Sequence, residues 1–297
     1  LFKSFANVDA FPICIDSSDT DTIVETVKMI APGFGGINLE DISAPRCFEI
    51  ESRLKKELDI PVFHDDQHGT AVVVFAALIN ALKIVDKSLE EIKVVVNGAG
   101  AAGTSIVQML LNLGIRDIVV CDREGILNRM ESYSNSAKAE LAAITNHRLL
   151  KGKLTDAMKA SDVFIGVSAA NVVSVEMVAS MASDAIVFAM ANPVPEIMPE
   201  LAKNAGARII GTGRSDFPNQ INNVLAFPGI FRGALDVRAS DINEAMKVAA
   251  VYAIAEIVDS KELKETYVIP DAFDLRVGQQ VAKAVAKAAV ESGISRI

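Results

Sequence analysis

Asn97-Gly98-Ala99-Gly100-Ala101-Ala102-Gly103 follows directly on the apolar run Ile92–Val96. A buried strand that enters this Gly-x-Gly-x-x-Gly turn and then a helix is typical of dinucleotide-binding folds. Gly98 permits the tight turn, Gly100 leaves room for a pyrophosphate, and Gly103 lets the helix pack close to the strand. The helix directs free N–H groups and the positive end of its dipole towards the phosphates. The stretch therefore predicts a dinucleotide site formed by Gly98, Ala99, Gly100, Ala101, Ala102 and Gly103.

An acidic residue follows the next apolar run at the distance expected for a ribose ligand. Asp122 comes directly after Ile118–Cys121, about 20 residues beyond the turn. Its carboxylate can accept both ribose hydroxyls, and its charge disfavours a 2′-phosphate. The sequence therefore favours NAD, but Arg123 and Arg129 lie near enough along the chain to compensate the charge. NADP stays an alternative.

The periodicity from Ile92 onward predicts alternating strands and helices. The predicted strands are 92–97, 117–121, 163–167, 185–190 and 207–211. Such alternation indicates an α/β fold with a doubly wound parallel sheet of the Rossmann type. Two amphipathic helices are predicted in the C-terminal part, at about 241–258 and 275–292.

The N-terminal part contains a smaller set of predicted elements. They are an extended segment at 10–15, a helix capped by Asp19 or Asp21, strands at 35–39 and 60–63, a charged helix at about 46–58, and an apolar helix from Gly69 to about Val85. The two strands each end in a pair of acids, Glu40-Asp41 and Asp65-Asp66. Four carboxylates at one sheet edge would repel one another unless a cation lay among them, and oxygen ligands suit Mg²⁺ or Mn²⁺. Two solvated acidic turns are the alternative.

Two histidines lie four residues apart in His64-Asp65-Asp66-Gln67-His68. A zinc-protease site would need Glu directly after the first histidine, on a helix already formed. Because this segment follows a strand, hydrogen-bonding roles are favoured for His64 and His68. His147 lies in a polar stretch and is expected at the surface.

Asparagines follow the later predicted strands. Asn192 precedes Pro193, and Asn222-Asn223 precede the apolar turn Phe227-Pro228-Gly229. Ligands bind at the carboxyl ends of strands in doubly wound sheets, where amides can donate and accept without adding charge. Taken singly, each asparagine could equally cap a turn. Their joint placement favours ligand contact.

Composition limits the class of protein and its partners. The 297 residues are 51% hydrophobic with a formal net charge of −9 at pH 7. A large core is predicted, and the negative charge argues against nucleic acid or an anionic membrane as the main partner. Cys14, Cys47 and Cys121 have no paired spacing. Free thiols and a cytoplasmic location are expected.

Five motifs in the same order resemble the malic enzyme family, in its shorter prokaryotic form. They are Phe34–Asp41, Phe63–Ala71, the Gly98–Gly103 turn, Ala191–Pro193, and Asn222-Asn223 ahead of Phe227–Gly229. The resemblance covers essentially the whole chain, and its two acidic motifs are the most specific part. It implies oxidative decarboxylation of (S)-malate to pyruvate and CO₂ with reduction of NAD(P), and a homodimer or larger oligomer.

The resemblance also implies roles for individual residues. Glu40, Asp41 and Asp66 would bind Mg²⁺ or Mn²⁺, and Asp65 would support the catalytic lysine. Asn192, Asn222 and Asn223 would contact malate, with Asn192 also beside the cofactor. The expected domains are 1–68 for part of a malate and metal domain, 69–232 for nucleotide binding, and 233–297 for a C-terminal helical segment.

The family's lysine base and tyrosine acid match no position here, because they are expected before Leu1. Lys3 lies too late to take the lysine's place, and the three tyrosines fit no motif. We therefore expect these 297 residues to bind nucleotide and metal but to turn over malate poorly. The alternatives are an oxaloacetate decarboxylase or malolactic-type relative, and a catalytically impaired nucleotide-binding module.

Overall fold

The computed structural model describes all 297 residues. The helices, in chain order, are α1 Phe2–Ala6, α2 Thr20–Ile30, α3 Arg46–Glu57, α4 Asp65–Val85, α5 Ala101–Asn112, α6 Ser136–Ile144, α7 Leu154–Met158, α8 Val175–Ala179, α9 Pro199–Asn204, α10 Phe227–Asp236, α11 Glu244–Ala255 and α12 Leu275–Glu291. The strands are β1 Ile37–Leu39, β2 Val62–His64, β3 Lys93–Asn97, β4 Asp117–Cys121, β5 Val163–Gly166, β6 Ile186–Ala189 and β7 Ile209–Thr212. Short 3₁₀ turns cover Ala31–Gly33 and Asn223–Leu225.

The chain divides into two compact units. The first unit comprises Leu1–Val73, Asn223–Ile257 and Ala272–Ile297, and the second comprises Val74–Asn222 and Val258–Asp271. The two units are defined by the contacts within each part of the chain, and they do not assign a function to either part. The domain division at residues 68 and 232 stays a prediction.

The second unit contains a five-stranded parallel sheet in the order β4-β3-β5-β6-β7. The chain starts at β3, adds β4 on one side, and then adds β5, β6 and β7 on the other, which is the doubly wound pattern. The buried side chains of Val95, Val119, Phe164 and Val187 belong to one core cluster, because these residues lie opposite one another on neighbouring strands and so share a face of the sheet. The predicted fold class and the parallel sheet are confirmed, with strand ends within two residues of those predicted.

The first unit contains a two-stranded parallel sheet, in which Leu39 of β1 lies opposite His64 of β2. Helices α2 and α3 cover it through a core that includes Val24, Ile50 and Leu54. The Asp19 side chain accepts the backbone N–H of Thr22 and so caps α2. Of the two candidate caps, Asp19 is therefore the one used.

Helix α4 begins earlier than the sequence predicted. It starts at Asp65, directly after β2, whereas Gly69 was the expected first residue. Acidic side chains in the first turn of a helix interact favourably with its dipole, which explains the earlier start. Helix α4 is also long and apolar enough to cross a membrane by length and composition, but 72% of its apolar window is buried inside the protein. It is a core helix.

The N-terminal segment also differs from expectation. Residues 2–6 form helix α1, where no helix was predicted. The segment 10–15 forms no regular strand. The ring of Phe2 packs at a tilt against Phe227 and edge-on against Phe231, and this packing within the unit stabilises the short helix.

Candidate functional site

The glycine-rich turn connects β3 to α5 in the second unit. Gly98 has φ +123°, and a Cβ there would lie 2.4 Å from the carbonyl oxygen of Val167. A Cβ on Gly103 would lie 1.8 Å from the carbonyl oxygen of Gly98. Both positions therefore require glycine for the turn itself.

Gly100 differs from the other two glycines. It is the residue before α5, its backbone is extended, and no atom of the protein lies within 4 Å of a Cβ built on it. The space in front of Gly100 is therefore open, at the N-terminus of a twelve-residue helix. A backbone that an anion can approach closely at a helix N-terminus fits the pyrophosphate of a dinucleotide.

Asp122 follows β4, with its side chain only 9% exposed. One carboxylate oxygen accepts the backbone N–H groups of Glu124 and Gly125, and the other lies 2.5 Å from Nζ of Lys138. Burial raises the pKa of Asp122, but the hydrogen bonds from Lys138, Glu124 and Gly125 and the charge of Lys138 together outweigh it, and the net pKa lies below its usual value. Asp122 is ionised and already paired.

Lys138 is the cation that sequence reasoning missed. The predicted candidates lie elsewhere: Arg123 is exposed, and Arg129 donates to the carbonyl oxygen of Thr145. Lys138 lies on α6, 16 residues after Asp122, where no local motif marks it. The fold, through the packing of α6, brings it to the carboxylate.

The two acidic pairs lie at the same edge of the small sheet in the first unit. Glu40 and Asp41 follow β1, while Asp65 and Asp66 follow its parallel neighbour β2. The Asp66 carboxylate accepts the backbone N–H of Asp41 at 2.8 Å. The structure therefore brings the predicted acids together.

Burial and mutual repulsion perturb these carboxyl groups. Desolvation and the negative charges of Glu40 and Asp66 raise the pKa of Asp65 to about 8. Desolvation and the charges of Asp66 and Asp41 also raise the pKa of Glu40, against a bond from the amide of Asn38. The cluster holds more negative charge than its surroundings offset.

The donor chemistry of this cluster fits a divalent cation. Oδ1 of Asp65 and both ring nitrogens of His64 are buried without a hydrogen-bond partner. Carboxylate oxygens are the ligands that Mg²⁺ and Mn²⁺ prefer. The side chains do not form a closed ligand set as they stand, since no group of three or more His, Cys, Asp or Glu side chains is arranged to hold a metal. The fit therefore rests on charge and donor type.

Asp65 is held by its neighbours in the first unit. Nδ2 of Asn223 donates to its Oδ2, and a Cβ on Gly69 would lie 1.9 Å from its Oδ1. Gly69 therefore leaves the space that the carboxylate fills. Asn223 contacts the acid pair, while Asn192 and Asn222 belong to the second unit, where Asn192 is exposed and Asn222 is half-buried.

The two histidines take different positions from those of a zinc-protease helix. His64 ends β2, and His68 lies in the first turns of α4. Nε2 of His68 bonds the buried Glu51 carboxylate at 2.8 Å, while Nζ of Lys247 lies 3.3 Å from Nδ1. His68 is therefore a hydrogen-bonding residue as predicted, whereas the same prediction is wrong for His64, whose two buried ring nitrogens have no hydrogen-bond partner. His147 is exposed, also as predicted.

The fold and the glycine turn define the class: an α/β protein with a dinucleotide-binding turn on a doubly wound sheet. Comparison with family models identifies residues 67–290 as the NAD-binding domain of malic enzyme and residues 1–55 as its N-terminal domain. The chain belongs to the malic enzyme family. The predicted family of NAD(P)-dependent oxidoreductases is confirmed.

Individual relatives agree with this assignment. The chain is 63% identical to the bifunctional malic/malolactic enzyme of Bacillus subtilis, matching all of this chain and 73% of that protein. It is 62% identical to the NAD-dependent malic enzyme of Geobacillus stearothermophilus, matching all of this chain and 62% of that protein. The crystal structure of an NAD-dependent malic enzyme from Thermotoga maritima matches with a TM-score of 0.92 and 53% identity, over 96% of this chain and 75% of that one.

Proposed function

We propose that the chain carries out the oxidative decarboxylation of (S)-malate to pyruvate and CO₂, with reduction of NAD(P) and a divalent metal ion. The observation that carries the proposal is the combination, within a malic enzyme chain, of paired acids at one sheet edge and a dinucleotide turn at another. Because the chain spans 73% of the Bacillus subtilis relative and 62% of the Geobacillus stearothermophilus relative, the activity of the longer proteins is proposed for it.

The residues of the first unit would act on malate and metal. Glu40, Asp41 and Asp66 would hold Mg²⁺ or Mn²⁺, which when bound supplies a Lewis acid that stabilises negative charge on a substrate oxygen. Asp65, buried beside them, would act electrostatically on the catalytic lysine of the family. Asn223, already bonded to Asp65, would contact the substrate.

The residues of the second unit would bind the nicotinamide cofactor, which when bound supplies a hydride acceptor. The backbone of the Gly98–Gly103 turn would hold the pyrophosphate, and the Asp122 carboxylate would accept hydrogen bonds from the ribose hydroxyls. Asn192 and Asn222 would contact malate, and Asn192 the cofactor as well. We propose NAD as the preferred cofactor. Lys138 balances the charge of Asp122, so NADP remains a candidate.

Binding experiments test the metal assignment directly. Calorimetry should show that Mn²⁺ tightens the binding of oxalate, a dicarboxylate that chelates metals as malate does. In Asp66→Asn that tightening should fall at least tenfold, because a ligand charge is lost while an oxygen remains for the N–H of Asp41. Asp59→Asn is the matched control, since its side chain is 99% exposed. Equal Mn²⁺ dependence in all three proteins would refute the assignment.

A malolactic-type activity is the second candidate. It is favoured by the Bacillus subtilis relative, which is described as a bifunctional malic/malolactic enzyme. Malate-dependent appearance of NADH at 340 nm distinguishes oxidative decarboxylation from conversion to lactate, which leaves no net NADH. Lactate without NADH would replace the first proposal by the second.

We also propose a cytoplasmic homo-oligomer, with a dimer as the simplest form. The three free cysteines support a reducing compartment. Exposed apolar side chains near the C-terminus, Phe273, Leu275 and Ile297, support association. Light scattering coupled to gel filtration would test the oligomeric state, and a monomer at micromolar concentration would contradict it.

A further inference from the structure

Glu196 is a fully buried carboxylate in the second unit, in the segment between β6 and α9. It forms no ion pair with a lysine, arginine or histidine. A buried charged group without an ion partner is costly unless hydrogen bonds satisfy it. Its partners therefore indicate what it does.

Both oxygens of Glu196 accept hydrogen bonds from loops at the carboxyl ends of neighbouring strands. Oε1 accepts the backbone N–H of Ser168 at 2.8 Å and its hydroxyl at 3.0 Å, just after β5. Oε2 accepts the backbone N–H of Ala191 at 3.0 Å, just after β6. A Cβ on Gly166 would lie 2.4 Å from Cδ of Glu196, so the last residue of β5 leaves the space for the carboxylate.

The same hydrogen bonds reach the dinucleotide turn. Nδ2 of Asn97, the residue before Gly98, donates to the Ser168 hydroxyl at 2.8 Å. The backbone N–H of Val167 donates to the carbonyl oxygen of Asn97 at 2.9 Å. A continuous series of hydrogen bonds thus runs from Asn97 through Ser168 and Glu196 to Ala191, which precedes the exposed Asn192.

The order of the strands tells which half of a dinucleotide these loops face. The turn follows β3, between β4 on one side and β5 on the other. A dinucleotide in such a sheet crosses the point where the strand order reverses. If the adenosine ribose binds at Asp122 after β4, the nicotinamide half would lie beside the loops after β5 and β6.

We propose that Glu196 is a positioning residue for the nicotinamide half of the cofactor. Its buried carboxylate fixes the backbone of Ser168 and of Ala191 relative to each other and, through Asn97, relative to the glycine-rich turn. The proposal rests on the nucleotide binding proposed above. Glu196 acts through these loops and has no contact of its own with the ligand.

Glu196→Gln tests the proposal, because glutamine keeps the size but replaces one acceptor oxygen by an NH₂ group. Either Ser168 or Ala191 then loses its acceptor. Calorimetry should show at least tenfold weaker binding of NADH and a change of less than twofold for ADP-ribose, which lacks nicotinamide. A role in folding alone would weaken both ligands together. Glu200→Gln, the same substitution at an exposed site in α9, is the control.

Ser168→Ala provides a second variant with little risk to folding, since Ser168 is exposed. It removes the hydroxyl that joins Asn97 to Glu196 but keeps the backbone N–H. We expect about threefold weaker NADH binding with unchanged ADP-ribose binding. If Glu196→Gln does not fold, Ser168→Ala tests the proposal by the same comparison of NADH binding with ADP-ribose binding. Equal losses for the two ligands, or no loss, would overturn the inference, whereas a wild-type chain that binds neither ligand would overturn the proposed function itself.

Discussion

Gly100→Ala separates the binding role of the turn from its structural role. The structure leaves nothing within 4 Å of a Cβ on Gly100, where φ is −94° and ψ −160°, an extended backbone that alanine adopts without strain. The loss of chain entropy in the unfolded state favours alanine by about 0.4–1 kcal/mol, and the weaker helix cap costs a similar amount. We expect the free energy of unfolding to change by less than about 1 kcal/mol.

Nucleotide binding should respond differently from stability. The new methyl group would stand in the open space that a pyrophosphate needs, so NADH affinity should fall at least tenfold, or about 1.4 kcal/mol. Gly103→Ala is the opposite case, because its Cβ would lie 1.8 Å from the carbonyl oxygen of Gly98. Opening the turn to relieve that overlap should cost about 1–3 kcal/mol of stability.

Urea unfolding and NADH titration calorimetry measure the two effects on the same proteins. Gly33→Ala is the matched control, since its Cβ also has no neighbour within 4 Å and it lies outside the turn. The reasoning would be refuted if Gly100→Ala bound NADH as the wild type does. It would also fail if Gly100→Ala lost as much stability as Gly103→Ala.

Three further perturbations follow from named contacts. Lys138→Gln should weaken NADPH binding about tenfold and NADH binding less than twofold, because the Asp122 charge would then face the 2′-phosphate unbalanced; equal losses in a fluorescence titration would contradict this. Burial raises the pKa of Glu51, but the hydrogen bond from His68 and the charges of His68, Lys55 and Lys247 together outweigh it, and the net pKa lies below its usual value. Since the unfolded chain takes up the proton first, this stabilisation is present above about pH 4.5 and is lost as the pH falls. Glu51→Gln should therefore show a shallower loss of stability between pH 5 and 3 in urea unfolding, and parallel pH curves would contradict it. Burial raises the pKa of the Cys121 thiol to about 12 and that of Cys47 to about 11. Ellman's reagent at pH 8 should therefore modify only the exposed Cys14 until the protein unfolds. Rapid modification of a second thiol in the folded protein would contradict this.

The sequence was sufficient to predict the elements with strong local signals. Strand β4 runs over Asp117–Cys121 as predicted, because the four-residue apolar run Ile118–Cys121, bounded by Asp117 and Asp122, is typical of a buried strand in a parallel sheet. The acids after β1 and β2 were also assigned to one edge, since that follows from parallel pairing. Short-range pattern and topology determine both results.

Residues whose partners are distant in sequence could not be predicted in this way. Lys138 meets Asp122 only because α6 packs where it does. Glu196 carries no motif, and its donors at Ser168 and Ala191 belong to loops that follow two different strands. The first turn of α4 was missed because the apolar residues that indicate the helix begin only after Gly69. In the structure, the missing side chain of Gly69 leaves the space that the Asp65 carboxylate fills.

In both sheets, most of the residues assigned a chemical role follow the carboxyl ends of parallel strands, as Glu40, Asp66 and the Gly98–Gly103 turn do. That position exposes loop backbone next to the N-termini of the following helices, so anions and polar ligands find unpaired N–H groups there. Hydrogen bonds to a buried side chain can fix the geometry of such a loop. In the second unit the buried carboxylate of Glu196 accepts hydrogen bonds from two of these loops at once. A hydrophobic side chain has no acceptor and could not form these bonds. Specific positioning of the loops therefore explains why a charge is buried there without an ion partner.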